Sequence, residues 1–332
     1  MDTSLHRTTR DMKKGNVMLV AGALKSLGSA TKAELAEQTK LSIATCGTIL
    51  NEMLLSGEAR VVELETSYGG RPATRYRYNP DFFSLLSLYV AGSDDGANII
   101  WSCHSATGEL LTQGEMPLLP MTLEAFYLGV STLFNKFSRV QAIGIGLPGV
   151  IVHGVAVSCD ISLFTGVDVK RQIAAQFGCF AEVDNNINFT AWGFYNNTCE
   201  GISEPVAYIY KPPVLKPGCG IVINGQILPG MSNFAGEVGY LPFNARTTLP
   251  LMDEITRIIT TLTAVINPVK IAVSCAELSV SQLAEIRQSC LDYVPEQHLP
   301  ELILRDAMRP DYLQGITSLT LKNFNYQRLF TV

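Results

Sequence analysis

No apolar run in this sequence approaches the roughly 18 residues that a membrane helix needs. Short repeats and low-complexity blocks are absent as well, so solenoid and biased-linker architectures are excluded. Charged residues make up only 17% and hydrophobic residues 47%, which excludes bulk disorder and provides for a large core. At 332 residues, two or three domains are expected. The eight cysteines (Cys46, Cys103, Cys159, Cys179, Cys199, Cys219, Cys275 and Cys290) form no CxxC pair and no Cys/His cluster. They read as buried thiols in a reducing cytoplasm. Lys13-Lys14 followed by Val17–Leu24 mimics a secretory signal, but Lys25 interrupts the run and the segment continues as an organised helical pattern. A cytoplasmic location is therefore expected.

The net charge of −5 hides an asymmetry. Residues 1–80 hold 11 Lys and Arg against 8 Asp and Glu, and the remainder holds 14 against 22. A basic amino-terminal piece on an acidic body suits a nucleic-acid reader joined to a different module.

In that piece, Val17, Val20, Leu24 and Leu27 share one helical face, and Gly28 supplies a stop. Thr31-Lys32-Ala33-Glu34 has the form of a capping box and opens a short helix over 31–39. Ser42 can cap a third helix over 42–55, with Ile43, Cys46, Ile49, Leu50, Met53 and Leu54 inward and Gly57 at its end. The opposite face carries Ala44, Thr45, Gly47, Thr48 and Asn51, small or short polar groups that let a helix approach base edges. The last two helices read as a helix-turn-helix, the plainer reading being a three-helix packing module. Strand-like runs at Ala59–Leu64 and Thr74–Tyr78 flank Gly69-Gly70-Arg71-Pro72, a wing whose Arg71 can enter a minor groove. The plainer reading of that segment is a turn with a solvated charge. The candidate DNA contacts are Thr31, Ser42, Ala44, Thr45, Gly47, Thr48, Asn51 and Arg71, and the expected partner is an operator in double-stranded DNA.

In the body, strand-like runs at Leu85–Gly92, Ile99–His104, Val140–Gly146, 180–183, Tyr208–Tyr210 and Gly220–Ile223 alternate with helical stretches over 122–137 and 168–177. Helices are expected to dominate from about 251. This is an α/β pattern. Gly144-Ile145-Gly146-Leu147-Pro148-Gly149 fits GxGxxG, but Pro148 and the following Val150-Ile151-Val152 predict a turn into another strand. A dinucleotide site requires a helix start there.

The stretches 31–36, 41–45 and 69–72 together resemble the DNA-binding domain of the ROK family, which comprises repressors, uncharacterised frames and sugar kinases. The body agrees. Residues 144–149 are similar to the family's IGIPG turn beside its sugar pocket, and Asn224-Gly225 followed by Phe234–Tyr240 is similar to an NG turn followed by FAGEIGH. The resemblance implies a winged helix-turn-helix at 1–80 and a two-lobed, actin-like body at 81–332, with the lobes dividing near 190. It also implies a sugar-binding role for Glu237; from the residues alone, Glu237 equally suits a helix start.

Departures from the family pattern bear on chemistry. Asn185-Asn186-Ile187-Asn188 stands where the kinases have NDAN, so Asn186 occupies the position of the catalytic base. An amide keeps hydrogen bonding but cannot serve as a general base. Val214–Gly220 lacks the glycines of the phosphate loop GTGIG, and Ser93–Asn98 places Asp94 and Asp95 where a nucleotide would approach. Tyr240 replaces the metal-binding histidine, and no CxCGxxGCxE cluster follows. Ile161–Phe164 stands where an Asn-Trp pair is common. The expectation is a non-catalytic transcriptional regulator, a repressor, without cofactor or metal. Asn185, Asn186, Glu237 and Tyr240 are the candidate contacts to a sugar or sugar-derivative effector, and a homodimer or higher oligomer is expected to bridge DNA half-sites. The alternatives are an atypical ATP-dependent sugar kinase with a fused DNA-binding domain, and a regulator whose body recognises a protein.

Overall fold

The computed structural model describes residues 9–62, 73–93, 95–199, 201–213, 215–243 and 249–330. The elements in chain order are α1 (Thr9–Leu27), β1 (Ala30–Thr31), α2 (Lys32–Thr39), α3 (Ile43–Ser56), β2 (Ala59–Val62) and β3 (Arg75–Tyr78). Next come β4 (Ser84–Ser93), β5 (Gly96–Ser105), β6 (Leu110–Pro117), α4 (Leu123–Lys136), β7 (Val140–Leu147), β8 (Gly149–Val152), β9 (Val155–Cys159), α5 (Val169–Phe177) and β10 (Phe180–Asn185). The remainder is α6 (Asn186–Thr198), β11 (Val206–Tyr210), β12 (Gly218–Ile223), β13 (Gln226–Ile227), α7 (Leu251–Ile266), β14 (Lys270–Ser274), α8 (Val280–Cys290), β15 (Glu301–Arg305) and α9 (Arg309–Phe330).

Local chemistry sets the amino-terminal unit. The Thr31 hydroxyl accepts from the Glu34 amide at 3.2 Å, and the Glu34 carboxylate accepts from the Thr31 amide at 2.7 Å. That reciprocal pair starts α2. Ser42 starts α3 by accepting from the Thr45 amide at 3.0 Å, and Gly57 ends it in the left-handed region at φ 78°. β1, β3 and β2 form an antiparallel sheet in that order. The two-residue β1 carries no readable period, and α1 begins eight residues before the Val17 periodicity. Glu63 and Leu64, like the expected wing at 67–72, lie outside the described residues.

The body has two five-stranded sheets. The first runs β10-β7-β4-β5-β6, with β4, β5 and β6 an antiparallel meander and β7 and β10 parallel to β4. The second runs β13-β12-β11-β14-β15, with β11, β14 and β15 parallel. The expectation of mostly helix after 251 is corrected here by β14 and β15. Their five-residue lengths are too short to separate from buried helix by periodicity. The body's α6 went unforeseen for a related reason. Asn188 to Tyr195 are all buried, so the helix has no polar stripe to set a 3.6-residue period.

Helices α6 and α9 lie together beside the sheets, and glycine permits this. A β-carbon on Gly193 of α6 would overlap the Asp311 carbonyl, and one on Gly315 of α9 would overlap the Phe189 carbonyl. The same helix lies against β7, where a β-carbon on Gly146 would overlap the Tyr312 ring and one on Gly144 would meet Thr320 and Ile316. The GxG of the sequence thus serves helix packing, and the chain after it enters β8, as the proline predicted.

The far end of α9 reaches the amino-terminal unit. Phe324 packs edge-on to Phe83 at 4.9 Å, within a core shared by Leu24, Leu35, Leu50, Tyr78, Leu85 and Ala142. Arg328 pairs with both oxygens of Glu58, whose side chain is only 6% exposed and which directly follows the Gly57 cap. The Tyr78 hydroxyl donates to the same carboxylate at 2.9 Å. Lys25 stacks over the Tyr78 ring at 4.1 Å and donates to the Ala106 carbonyl at 2.9 Å, and burial lowers its ammonium to about 8. Arg328→Ala should destabilise the protein by about 3 kcal/mol, because it strands a buried carboxylate. Tyr78→Phe should cost about 1 kcal/mol, the value of one hydrogen bond. Denaturant unfolding of the full chain checks both.

Candidate functional site

Two surfaces carry the candidate residues. On the amino-terminal unit, Ser42, Ala44, Thr48 and Asn51 are exposed along α3 and Thr45 is half-buried. Ser42 and Thr45 hydroxyls lie 2.8 Å apart, and the Thr48 hydroxyl donates to the Ala44 carbonyl at 3.1 Å, which leaves its lone pairs free to accept. Gly47 is a correction: it is buried, with the Lys32 side chain 3.6 Å from where its β-carbon would be. It therefore seats Lys32 rather than facing outward. Ile43 is a second correction, since it is 57% exposed and adds an apolar group beside Ala44 on the open face. As the first residue of the helix it projects ahead of the core stripe. Thr31 is held in its capping box, and Arg71 lies outside the described residues.

The second surface is a cavity of about 290 Å³ between the sheets, and Asn185, Asn186, Glu237 and Tyr240 all line it. Asn185 and Asn186 sit at the junction of β10 and α6. The Asn185 side-chain oxygen accepts from the Asn188 amide at 2.6 Å as the helix cap, so only its amino group is free for a ligand. Asn186, the first residue of the helix, has no such duty as a cap. Gly236 places Glu237: its φ is 91°, and a β-carbon there would overlap the Cys219 carbonyl. Glu237 does stand at a helix start, directly before the 3-10 turn Val238–Tyr240, but its side chain makes no cap hydrogen bond there. Burial raises its carboxyl, and the neighbouring Asp160 raises it further. Tyr240 is exposed, with Lys216 Nζ 4.2 Å over its ring and Phe234 5.2 Å away.

Sequence reasoning missed Asp160, Tyr210 and Ser158, which also line the cavity. Asp160 directly precedes Ile161–Phe164, where the family pattern was compared, so the signal stood one residue away. Phe164 is fully buried in the first-lobe core against Phe126, at 5.0 Å, and does not obstruct the cavity. Asp184 is turned inward, accepting from Asn188 Nδ2 at 3.0 Å and from the Asn185 amide at 2.7 Å, and burial raises its carboxyl to about 6. Leu215, Lys216 and Pro217 form the wall where a phosphate loop would lie, and Val214 is outside the described residues. Among the described residues, no three His, Cys, Asp or Glu side chains gather as a metal would require, and no helix is long and apolar enough to cross a membrane.

Residues 119–254 match the model of the ROK family. Over that stretch the chain is similar to the ROK family. Over 263 residues it is 23% identical to the xylose repressor of Caldicellulosiruptor bescii, covering 74% of this chain and 61% of that protein. It is 32% identical over 173 residues to an uncharacterized protein of Clostridium perfringens, covering 48% of this chain and 56% of that one. The chain thus spans about six-tenths of the length of the curated relatives it matches. In fold, it is similar over 97% of its length to all of a ROK family transcriptional regulator described as a homologue of the E. coli MLC protein, at TM-score 0.73 and 14% identity. It is also similar over 73% of its length to all of a ROK hexokinase from Thermus thermophilus, at TM-score 0.60 and 15% identity. The first likeness extends over the amino-terminal unit and the two-lobed body together; the second covers only about the length of the body.

Asn185 and Asn186 separate structure from binding. Asn185→Ala should lower stability by about 1 kcal/mol through loss of the α6 cap, whereas Asn186→Ala should leave it within about 0.5 kcal/mol. Thermal unfolding of the two variants side by side checks this.

Proposed function

We propose that this protein is a DNA-binding transcriptional regulator, a repressor, whose two-lobed body senses a sugar or sugar derivative without phosphorylating it. The observation that carries this reading is the meeting of Asn185, Asn186, Glu237 and Tyr240 on one cavity, with an amide where a kinase has its base. A ligand hydroxyl at Asn186 finds a donor and an acceptor, but the amide cannot remove its proton. The relatives named xylose repressor support the regulatory role and a sugar effector. Residues 1–80 act as the winged helix-turn-helix, with Thr31, Ser42, Ala44, Thr45, Thr48, Asn51 and Arg71 toward the DNA, and Gly47 supporting the helix from within. Residues 81–332 act as the effector and dimerisation body in the cytoplasm. A two-fold dimer would match paired half-sites, since one such unit covers little DNA.

The second reading, an atypical sugar kinase, draws on the hexokinase-like fold and on Glu237. Against it stand Asn186 at the base position, the wall of Leu215, Lys216 and Pro217, and the inward turn of Asp184. Loss of a general base alone costs on the order of 10²–10⁴ in rate.

Thr48→Glu should abolish operator binding in a mobility-shift assay while leaving the unfolding curve unchanged, because Thr48 is exposed. Normal binding by this variant would exclude α3 as the recognition helix. Arg71→Ala should weaken binding by about 1–3 kcal/mol. Purified protein should show no hexose-dependent ATP consumption, and Glu237→Ala should abolish the effector response without altering ligand-free operator binding. Turnover with any hexose would favour the kinase.

A further inference from the structure

We propose that the ligand class of this cavity is a polyhydroxylated amine, a sugar bearing a free ammonium group, held between Asp160 of the first lobe and Glu237 of the second. This rests on the reading of the cavity as an effector pocket and specifies its chemistry.

Asp160 and Glu237 both line the cavity, the one after β9 and the other after Gly236. Asp160 directly follows β9, with its amide bonded to the Pro148 carbonyl at 3.0 Å, so the corner that presents it is fixed. Glu237 is fixed by the close approach of Gly236 to the Cys219 carbonyl. Besides burial, the nearby Asp160 raises the Glu237 carboxyl, so the two groups are close enough to interact. Among the described residues, neither belongs to any of the ion pairs that the structure forms. Lys216 lines the same cavity but lies over the Tyr240 ring, and Lys211 donates to the carbonyls of Pro212 and Leu215. The cavity therefore presents two carboxyl groups that no described lysine or arginine pairs with.

The rest of the lining fixes the remainder of the ligand. The free amino group of Asn185 and the amide of Asn186 suit hydroxyls, and Tyr210 and Tyr240 offer aromatic walls. A bare divalent ion is a poorer match, since magnesium or calcium takes six or more oxygen ligands. An ammonium needs only a few acceptors, and two carboxylates supply charge-assisted ones. Because the two acceptors belong to different lobes, the ammonium removes a repulsion that acts across the cleft. It binds best where the lobes bring both carboxylates to it, which gives the differential affinity that a sensor requires.

The test is calorimetry on the full chain at about pH 6.5, below the ordinary range of an α-amino group. Glucosamine, mannosamine and galactosamine are compared with glucose, mannose and galactose and with the N-acetylated forms. At least one amine should bind about tenfold or more tightly than its neutral counterparts, consistent with hydrogen bonds to charged groups. Asp160→Asn and, separately, Glu237→Gln should narrow that gap to within about threefold, with folding checked by circular dichroism. Equal or tighter binding of the neutral sugars overturns the amine class and leaves the effector-pocket reading intact. Preference for the amine that survives both substitutions overturns the carboxylate clamp. Binding by none of the nine sugars overturns this inference and the sugar-effector reading together.

Discussion

The close approach of α9 to its neighbours is the constraint on which the rest of this structure depends. Gly144 and Gly146 of β7, Gly193 of α6 and Gly315 of α9 each lack the one atom that would hold the helix away. At Gly193 and Gly315 backbone meets backbone, and at Gly144 and Gly146 strand backbone meets the Thr320, Ile316 and Tyr312 side chains; packing at that distance tolerates very little change of volume. The helix is therefore fixed along its length: Tyr312 and Ile316 in the core shared with α6, and Phe324 in the core of the amino-terminal unit. Because Asn186 opens α6, the cavity wall and the amino-terminal unit are joined through the α6–α9 helix pair.

Within the cavity, residues that divide the labour sit side by side. Asn185 holds the helix start, Asn186 lines the cavity, and Asp184 is turned to Asn188 within the fold. General-base chemistry at the middle position would need a carboxylate, whereas the amide of Asn186 offers hydrogen bonds without a proton acceptor of useful basicity. The same cavity also carries Asp160 and Glu237.

Much of this was legible in the sequence, for identifiable reasons. Caps and glycine stops are local chemistry, so Thr31, Ser42 and Gly57 marked their helices directly. The Asn-Asn and Phe-Ala-Gly-Glu stretches were legible through family likeness, and they do line one cavity. What could not be read is tertiary. The burial of α6 on all sides erased its period, β14 and β15 were too short to carry one, and Gly47 was turned inward by the Lys32 side chain. Asp160 gained its meaning only from Glu237, which lies in the other lobe and 77 positions further along the chain.

The Glu58–Arg328 pair spans 270 positions. At ordinary ribosomal rates of about 5–20 residues per second, on the order of tens of seconds separate the emergence of the two partners. During that interval Glu58 has no guanidinium, the core around Leu50 and Tyr78 has no Phe324, and the end of α3 is unsupported. The end of α3 is thus completed last although the helix is made early. Nascent chains and fragments truncated before α9 carry the whole amino-terminal unit without its closing contacts.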